Sequence, residues 1–181
     1  MNRNTLIAAI AALSTSLSFA AGAQTLAADI SAPEQRDFGD WRLRCQHLPG
    51  ALPCDIVQSI AHKETNARLV MFSVAYSPQL DSHAIQIVTP LGIDLRKGAE
   101  LTVGDVRATG IRPNRCEMEG CFIEAILAAD MVEAFKSVQT GTLTIYPGPA
   151  DETLSIEFSL NGFVDARDAL AAQLEMPVQE P

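Results

Sequence analysis

Leu154-Ser155-Ile156-Glu157-Phe158-Ser159-Leu160 alternates apolar and polar side chains without a break. Such a segment gains one apolar face only when extended, because successive side chains on a strand point to opposite sides. Trp41-Arg42-Leu43-Arg44-Cys45 repeats the pattern, and Leu143 and Ile145 stand between Thr142, Thr144 and Tyr146. Arg68 to Tyr76 and Ala84 to Thr89 are more continuously apolar and read as central strands covered on both faces. Cys54 to Ile60, Leu101 to Val103 and Cys121 to Ile126 are further strand candidates. Turn formers punctuate the chain at Pro78, Pro90 with Gly92, Gly98, Gly104, Gly110 with Pro113, Gly120, Gly141 and Pro147. Many short strands with frequent turns predict a mainly β fold, an antiparallel sandwich or barrel-like single domain.

Two segments carry the helical period instead. Over 130–139, Asp130 is placed to cap a helix whose apolar stripe is Met131, Ala134, Phe135 and Val138, with Gly141 to end it. Over 161–174, Asn161 is the cap, Phe163, Leu170 and Leu174 the stripe, and Pro177 the stop.

The amino terminus has another character. Arg3 precedes an apolar run from Leu6 to Leu13, then small residues, then Ala21-Gly22-Ala23. This is the layout of a secretory signal peptide over 1–23, cleaved near Ala23, and the run is too short to span a bilayer. Cleavage removes one arginine and no acid. Residues 24–37 read as a flexible arm, 38–176 as one β-rich domain and 177–181 as a frayed tail. The expected location is the periplasm, the cell surface or the medium. No apolar run long enough for a spanning helix lies in the mature chain.

Export gives the four cysteines a meaning. In an oxidising compartment an even number reads as disulfides. Three pairings are formally open, and spacing suggests Cys45 with Cys54 and Cys116 with Cys121. Each pair brackets turn formers: His47-Leu48-Pro49-Gly50 with Pro53, and Glu119-Gly120. Zinc ligation favours cysteines two to four residues apart, and a thioredoxin-like site needs C-x-x-C, so neither fits.

Of 181 residues, 13 are Lys or Arg and 22 Asp or Glu, for a formal charge of −9. Such an acidic chain is ill suited to a nucleic-acid backbone. The hydrophobic share of 48% against 19% charged is that of a folded protein. No nucleophile elbow, phosphate loop, dinucleotide fingerprint or H-E-x-x-H is present. His47, His62 and His83 share no ligand spacing. Asp81-Ser82-His83 has the residue types of a triad, but strand neighbours diverge and triad members must converge. Glu117 with Glu119 and Asp151 with Glu152 read as solvated turn charges. Arg42, Arg44, Arg68, Arg96 and Lys97 are candidates for a basic patch if the fold gathers them. No catalytic residue, metal ligand or cofactor is assigned, and the binding residues are not legible. Trp41, by its alternation with Leu43 and Cys45, faces the core.

Several fragments in order carry a resemblance. Phe38-Gly39-Asp40 leads into Trp41-x-x-x-Cys45, followed by Cys54-x-x-x-Gln58. Then come Thr89-Pro90-Leu91-Gly92-Ile93 with Leu95, Lys97 and Gly98, next Cys116-x-x-x-Gly120-Cys121, and last Phe158-Ser159-Leu160-x-Gly162-Phe163. From about Phe38 to Leu170 the chain resembles the invasion-associated locus B family of exported bacterial proteins. One departure is Gly104-Asp105, where the family tends to place an acidic residue before glycine. The resemblance implies a disulfide-bonded β core and, in some pathogens, a link to host-cell invasion. It carries over no catalytic residues. The expectation is a non-enzymatic exported module that binds a protein or envelope component. The alternative is an exported hydrolase whose site is assembled from distant strands.

Overall fold

The computed structural model describes residues 34–46, 54–78, 80–148 and 152–175. The expected signal peptide, residues 24–33 of the arm, the loop inside the first cysteine pair and the tail at 177–181 lie outside them, as do His47 and Asp151. The elements in chain order are β1 (Glu34–Phe38), β2 (Trp41–Cys45), β3 (Cys54–Ala61), β4 (Arg68–Ser77), β5 (Ser82–Thr89), β6 (Ala99–Val103), β7 (Val106–Ile111), β8 (Arg115–Glu117), β9 (Gly120–Ile126), α1 (Ala129–Ser137), β10 (Thr140–Ile145), β11 (Leu154–Ser159) and α2 (Phe163–Glu175). A seven-stranded antiparallel sheet runs β1-β2-β3-β4-β5-β9-β8, and a four-stranded one runs β11-β10-β6-β7. This is the expected mainly β, sandwich-like class, unclosed, with two short helices.

Alternation decides which side chains meet. Trp41, Leu43, Ile56, Val70, Phe72, Val74, Ile85, Ile87 and Ile123 of the large sheet are buried against Leu101, Val103, Leu143, Ile145, Ile156 and Phe158 of the small one. A chain of rings ties the layers together. Phe72 of β4 meets Phe158 of β11 at 4.5 Å, Phe158 meets Phe135 of α1 at 5.8 Å, and Phe135 meets Phe163 of α2 at 5.1 Å. Phe163 in turn stands edge-on to Trp41, with centroids 5.1 Å apart.

Several sequence expectations are corrected. Glu34 to Asp37, expected in the flexible arm, are part of β1. Four consecutive polar residues give no periodicity to read, but β1 pairs residue by residue with β2 and Asp37 forms an ion pair with Arg42. Its charges suit an edge strand. Helix α1 starts at Ala129 and not at Asp130. Ala128 is its N-cap and has no side-chain bond, while the Asp130 carboxylate accepts the N–H of Met131. Gly141, expected to end α1, lies in β10 with the Phe158 ring filling the space where a Cβ would stand. Helix α2 starts at Phe163, and the amide of Asn161 reaches Asp40 instead. Strands β7 and β8 carried no alternation strong enough to be read. Finally, β4 is not covered on both faces, whereas β5 ends in the consecutively buried Ile87, Val88 and Thr89 as expected. Every second residue of β4 from Val70 to Val74 is buried, and the residues between are half-buried.

The departure at Gly104-Asp105 has a local cause. The two residues close the β6–β7 hairpin between the paired Val103 and Val106. Gly104 takes the first central position with φ 57°. Type II′ hairpin turns place glycine at that position.

Candidate interaction surface

The resemblance fragments converge on the frame. The Trp41 indole donates to the Ser159 carbonyl at 3.0 Å, and the buried Gln58 amide donates to the same oxygen at 2.9 Å. The Ser159 N–H is returned to Gln58 Oε1, and its hydroxyl donates to Asp40 Oδ2 at 2.7 Å. Gly162, at φ 84°, passes so close to the β1–β2 turn that a Cβ would stand 2.0 Å from the Phe38 carbonyl oxygen. Three separated pieces of chain thus lock β1–β2, β3, β11 and α2 together. The Thr89–Gly98 segment is a second lock. The Thr89 hydroxyl donates to the Cys121 carbonyl, the Asp94 N–H to Tyr146 and the Gly148 N–H to Gly92. Both disulfides are there as spacing suggested. Cys45 faces Cys54 and Cys116 faces Cys121 in antiparallel register, with Cα atoms 4.0 Å apart in each pair.

With these residues assigned to the frame, the side chains that project outward from the large sheet are left to consider. Cross-strand pairing lines them up in rows: Arg44-Asp55, then Ala75-Ala84-Ile126; Val57-Ser73-Gln86-Glu124; and Ser59-Met71-Val88-Phe122-Arg115. Asp55 is held three ways. It accepts Arg44 Nε at 2.7 Å, Arg44 Nη2 at 2.8 Å and the Ser73 hydroxyl at 2.6 Å. Toward the opposite edge Glu124 accepts Gln86 at 2.9 Å and Arg115 at 2.6 Å, and the Arg115 guanidinium lies over Phe122 at 4.2 Å. Between these clusters lies an open groove of about 630 Å³, lined in part by Ala75, Ala84 and Ile126. Among the described residues neither helix nor the second sheet covers this face. Yet Met71 and Phe122 are half-buried, Val88 is buried and Ile126 stands 58% exposed.

Electrostatics make the charged members fixed rather than reactive. The Asp55 carboxylate raises the basicity of Arg44, and Arg115 followed by Gln86 holds Glu124 below the ordinary carboxylate range. Each is an ionised, engaged hydrogen-bonding group, suited to orienting a partner's polar atoms.

The other sequence candidates are dispersed. Tyr76 donates to Asp81 at 2.6 Å, and the His83 ring lies 5.0 Å from the Tyr76 ring. The Asp81 carboxylate is therefore engaged by a phenol. His62 Nδ1 accepts the N–H of Glu64 at 3.3 Å within a surface turn. Glu117 pairs with Arg115. Each of the five basic candidates has a partner of its own. Arg42 pairs with Asp37, Arg44 with Asp55 and Arg96 with Asp94, while Arg68 donates to the Glu119 carbonyl and Lys97 lies over Tyr146.

Fold and surface together define a class: a disulfide-stapled antiparallel sandwich whose distinctive sequence fragments build the frame. The chain belongs to the family described as invasion associated locus B (IalB) protein, whose model matches residues 41–171. Two curated relatives, both invasion protein B homologs of Brucella abortus (strain 2308 and biovar 1 strain 9-941), are 27% identical over 165 residues, covering 89% of this chain and 90% of each relative. The crystal structure of invasion associated protein B from Bartonella henselae superposes with a TM-score of 0.71 at 20% identity, covering 78% of this chain and 97% of that one. That likeness is one of fold.

Proposed function

We propose that this protein is an exported, non-enzymatic module that holds a protein partner on the outer face of its large sheet, in the service of contact between a bacterium and a host cell. The observation that carries the reading is the outer face itself. Apolar side chains occupy outward positions of a sheet that nothing else described here covers, and its charges are already paired. A solvated antiparallel face is ordinarily polar at alternate positions, and exposed apolar patches mark contact surfaces. The two disulfides support an oxidising compartment, and hence export through the amino-terminal segment. The relatives named for invasion support the biological setting.

Site-specific photocrosslinking in the native host tests this. A crosslinker at Met71 of the full chain is expected to trap a defined protein, and one at Thr142, on the outer face of the small sheet, is not. The same adducts from both positions, or none from Met71, would refute the reading. Intact mass of the exported chain checks cleavage after Ala23 in the same material.

A further inference from the structure

Where the sandwich is unclosed, the sheets part around a cavity of about 200 Å³. Its floor is Ile85, Ile87 and Ile123 from the large sheet and Leu101 from the small one, each no more than 3% exposed, with Met131 of α1 as an end wall. Ala108, opposite Leu101 on the edge strand β7, leaves the space unfilled. The mouth is of another kind. Ile126, Arg107 and Asp130 are exposed there, and Arg107 donates to Glu100 at 2.6 Å. Water in the floor would meet aliphatic carbon only, whereas a buried water needs two to four polar partners. An aliphatic cavity of about 150 Å³ stays dry and takes up benzene or xenon. The space here is larger and open at one polar end.

We infer that this cavity, between β5–β9 and β6–β7, is a binding site for the end of a single aliphatic chain, whose polar head rests at the mouth beside Arg107 and Asp130. The volume fits a chain end and is below that of sites for drug-sized ligands or cofactors. The mixed charge of the mouth makes the chain, not the head, the recognised element. The cavity shares Ile85, Ala125 and Ile126 with the outer groove, but the inference rests on Ile87, Leu101, Ala108, Ile123 and Met131, which the groove does not include.

The test follows the Ile and Met methyl signals of the whole mature protein as octanoate is added. Butyrate serves as the short-chain arm and octanol as the arm without charge. Shifts at Ile85, Ile87, Ile111, Ile123, Ile126 and Met131, with none at Met71, are expected with octanoate and octanol. Affinity should tighten about fourfold for each added methylene from butyrate upward. Ala108→Leu should fill the space, weaken octanoate at least tenfold and leave the melting temperature equal or higher, and Ala125→Val is a second filling variant. Monomeric dihexanoyl phosphatidylcholine separates the two sources of such a chain. Tighter binding of octanoate identifies a free acid as the ligand, and tighter binding of the phospholipid a lipid tail. No methyl shift with octanoate or octanol, shifts at Met71 of the outer face without shifts at Ile87, Ile123 and Met131, or folded filling variants that bind as the wild type does would each overturn the inference.

Discussion

The two sheets turn similar aliphatic faces inward and different faces outward, one polar throughout and one part apolar. On the small sheet the outward positions are Thr102, Thr142, Thr144, Ser155 and Glu157, with Glu100 bonded to Arg107. The Thr144 and Ser155 hydroxyls meet across the strands at 3.3 Å. This is what a sheet face built for water looks like in this protein. On the large sheet the corresponding positions mix Val57, Met71, Ala75, Ala84, Val88, Phe122 and Ile126 with Arg44, Asp55, Ser59, Ser73, Gln86, Glu124 and Arg115. Both sheets obey the same alternation and were made by the same chain, so the difference is not one of strand propensity. It separates a face of hydroxyls and charges from one that also exposes aliphatic and aromatic carbon.

The comparison is sharpened first by removing the frame. Trp41→Ala deletes the ring that meets Phe163 and the donor to Ser159. It should cost about 3–5 kcal/mol by urea unfolding. Partner capture should fall only as far as the folded fraction falls. Next comes the outer face. Met71→Glu should leave urea stability within about 1 kcal/mol, because the side chain is only half-buried, and should lower crosslink yield to the partner, read from a crosslinker moved to Val57 on the same face, at least tenfold. Equal yield would break the comparison. Smaller again is Asp55→Ala, which strands the Arg44 guanidinium and the Ser73 hydroxyl. A loss of about 1–2 kcal/mol by chemical denaturation is expected, with Asp55→Asn recovering part of it.

How far the sequence alone reached follows from what alternation can encode. Leu154 to Leu160 and Trp41 to Cys45 announced their strands because each has one wet and one dry side. Strand β1 did not, since Glu34, Gln35, Arg36 and Asp37 are polar on both sides and are held by backbone pairing. Strand β7 was hidden by the register shift opposite Ala99 to Leu101, which breaks its period. The frame was partly legible as the resemblance fragments, although their convergence on Ser159 was not. The outer face was present in the sequence but misread. The apolar run from Arg68 to Tyr76 implied cover on both sides, and the fold supplies it on one. Periodicity tells which way a side chain points and not what lies there, so a strand apolar on both faces with one bare face is itself the sign of a contact. The inter-sheet cavity left no trace, because it depends on how far two sheets separate.

The smallest effect concerns the turn end of the large sheet, where His83 packs beside Tyr76. Burial first, and then the nearby positive charges of Arg167 and Lys136, hold its imidazole below the ordinary histidine range, while Asp81 opposes them. The folded protein therefore binds that proton less readily than the unfolded chain does. Its contribution is fully present above the unfolded value near 6.5 and is lost as pH falls toward and through the lowered folded one. The melting temperature should decline as pH drops from 7 to 5, and His83→Gln should flatten that decline. Glu124, Asp94 and Glu133, held low by Arg115, Arg96 and Lys136, act in the same direction but mainly below about pH 5, as their unfolded forms take up protons. Scans at pH 7, 6 and 5 thus separate the histidine from the carboxylates. An unchanged slope in His83→Gln would show that this end of the sheet is as indifferent to protons as the threonine face of its partner.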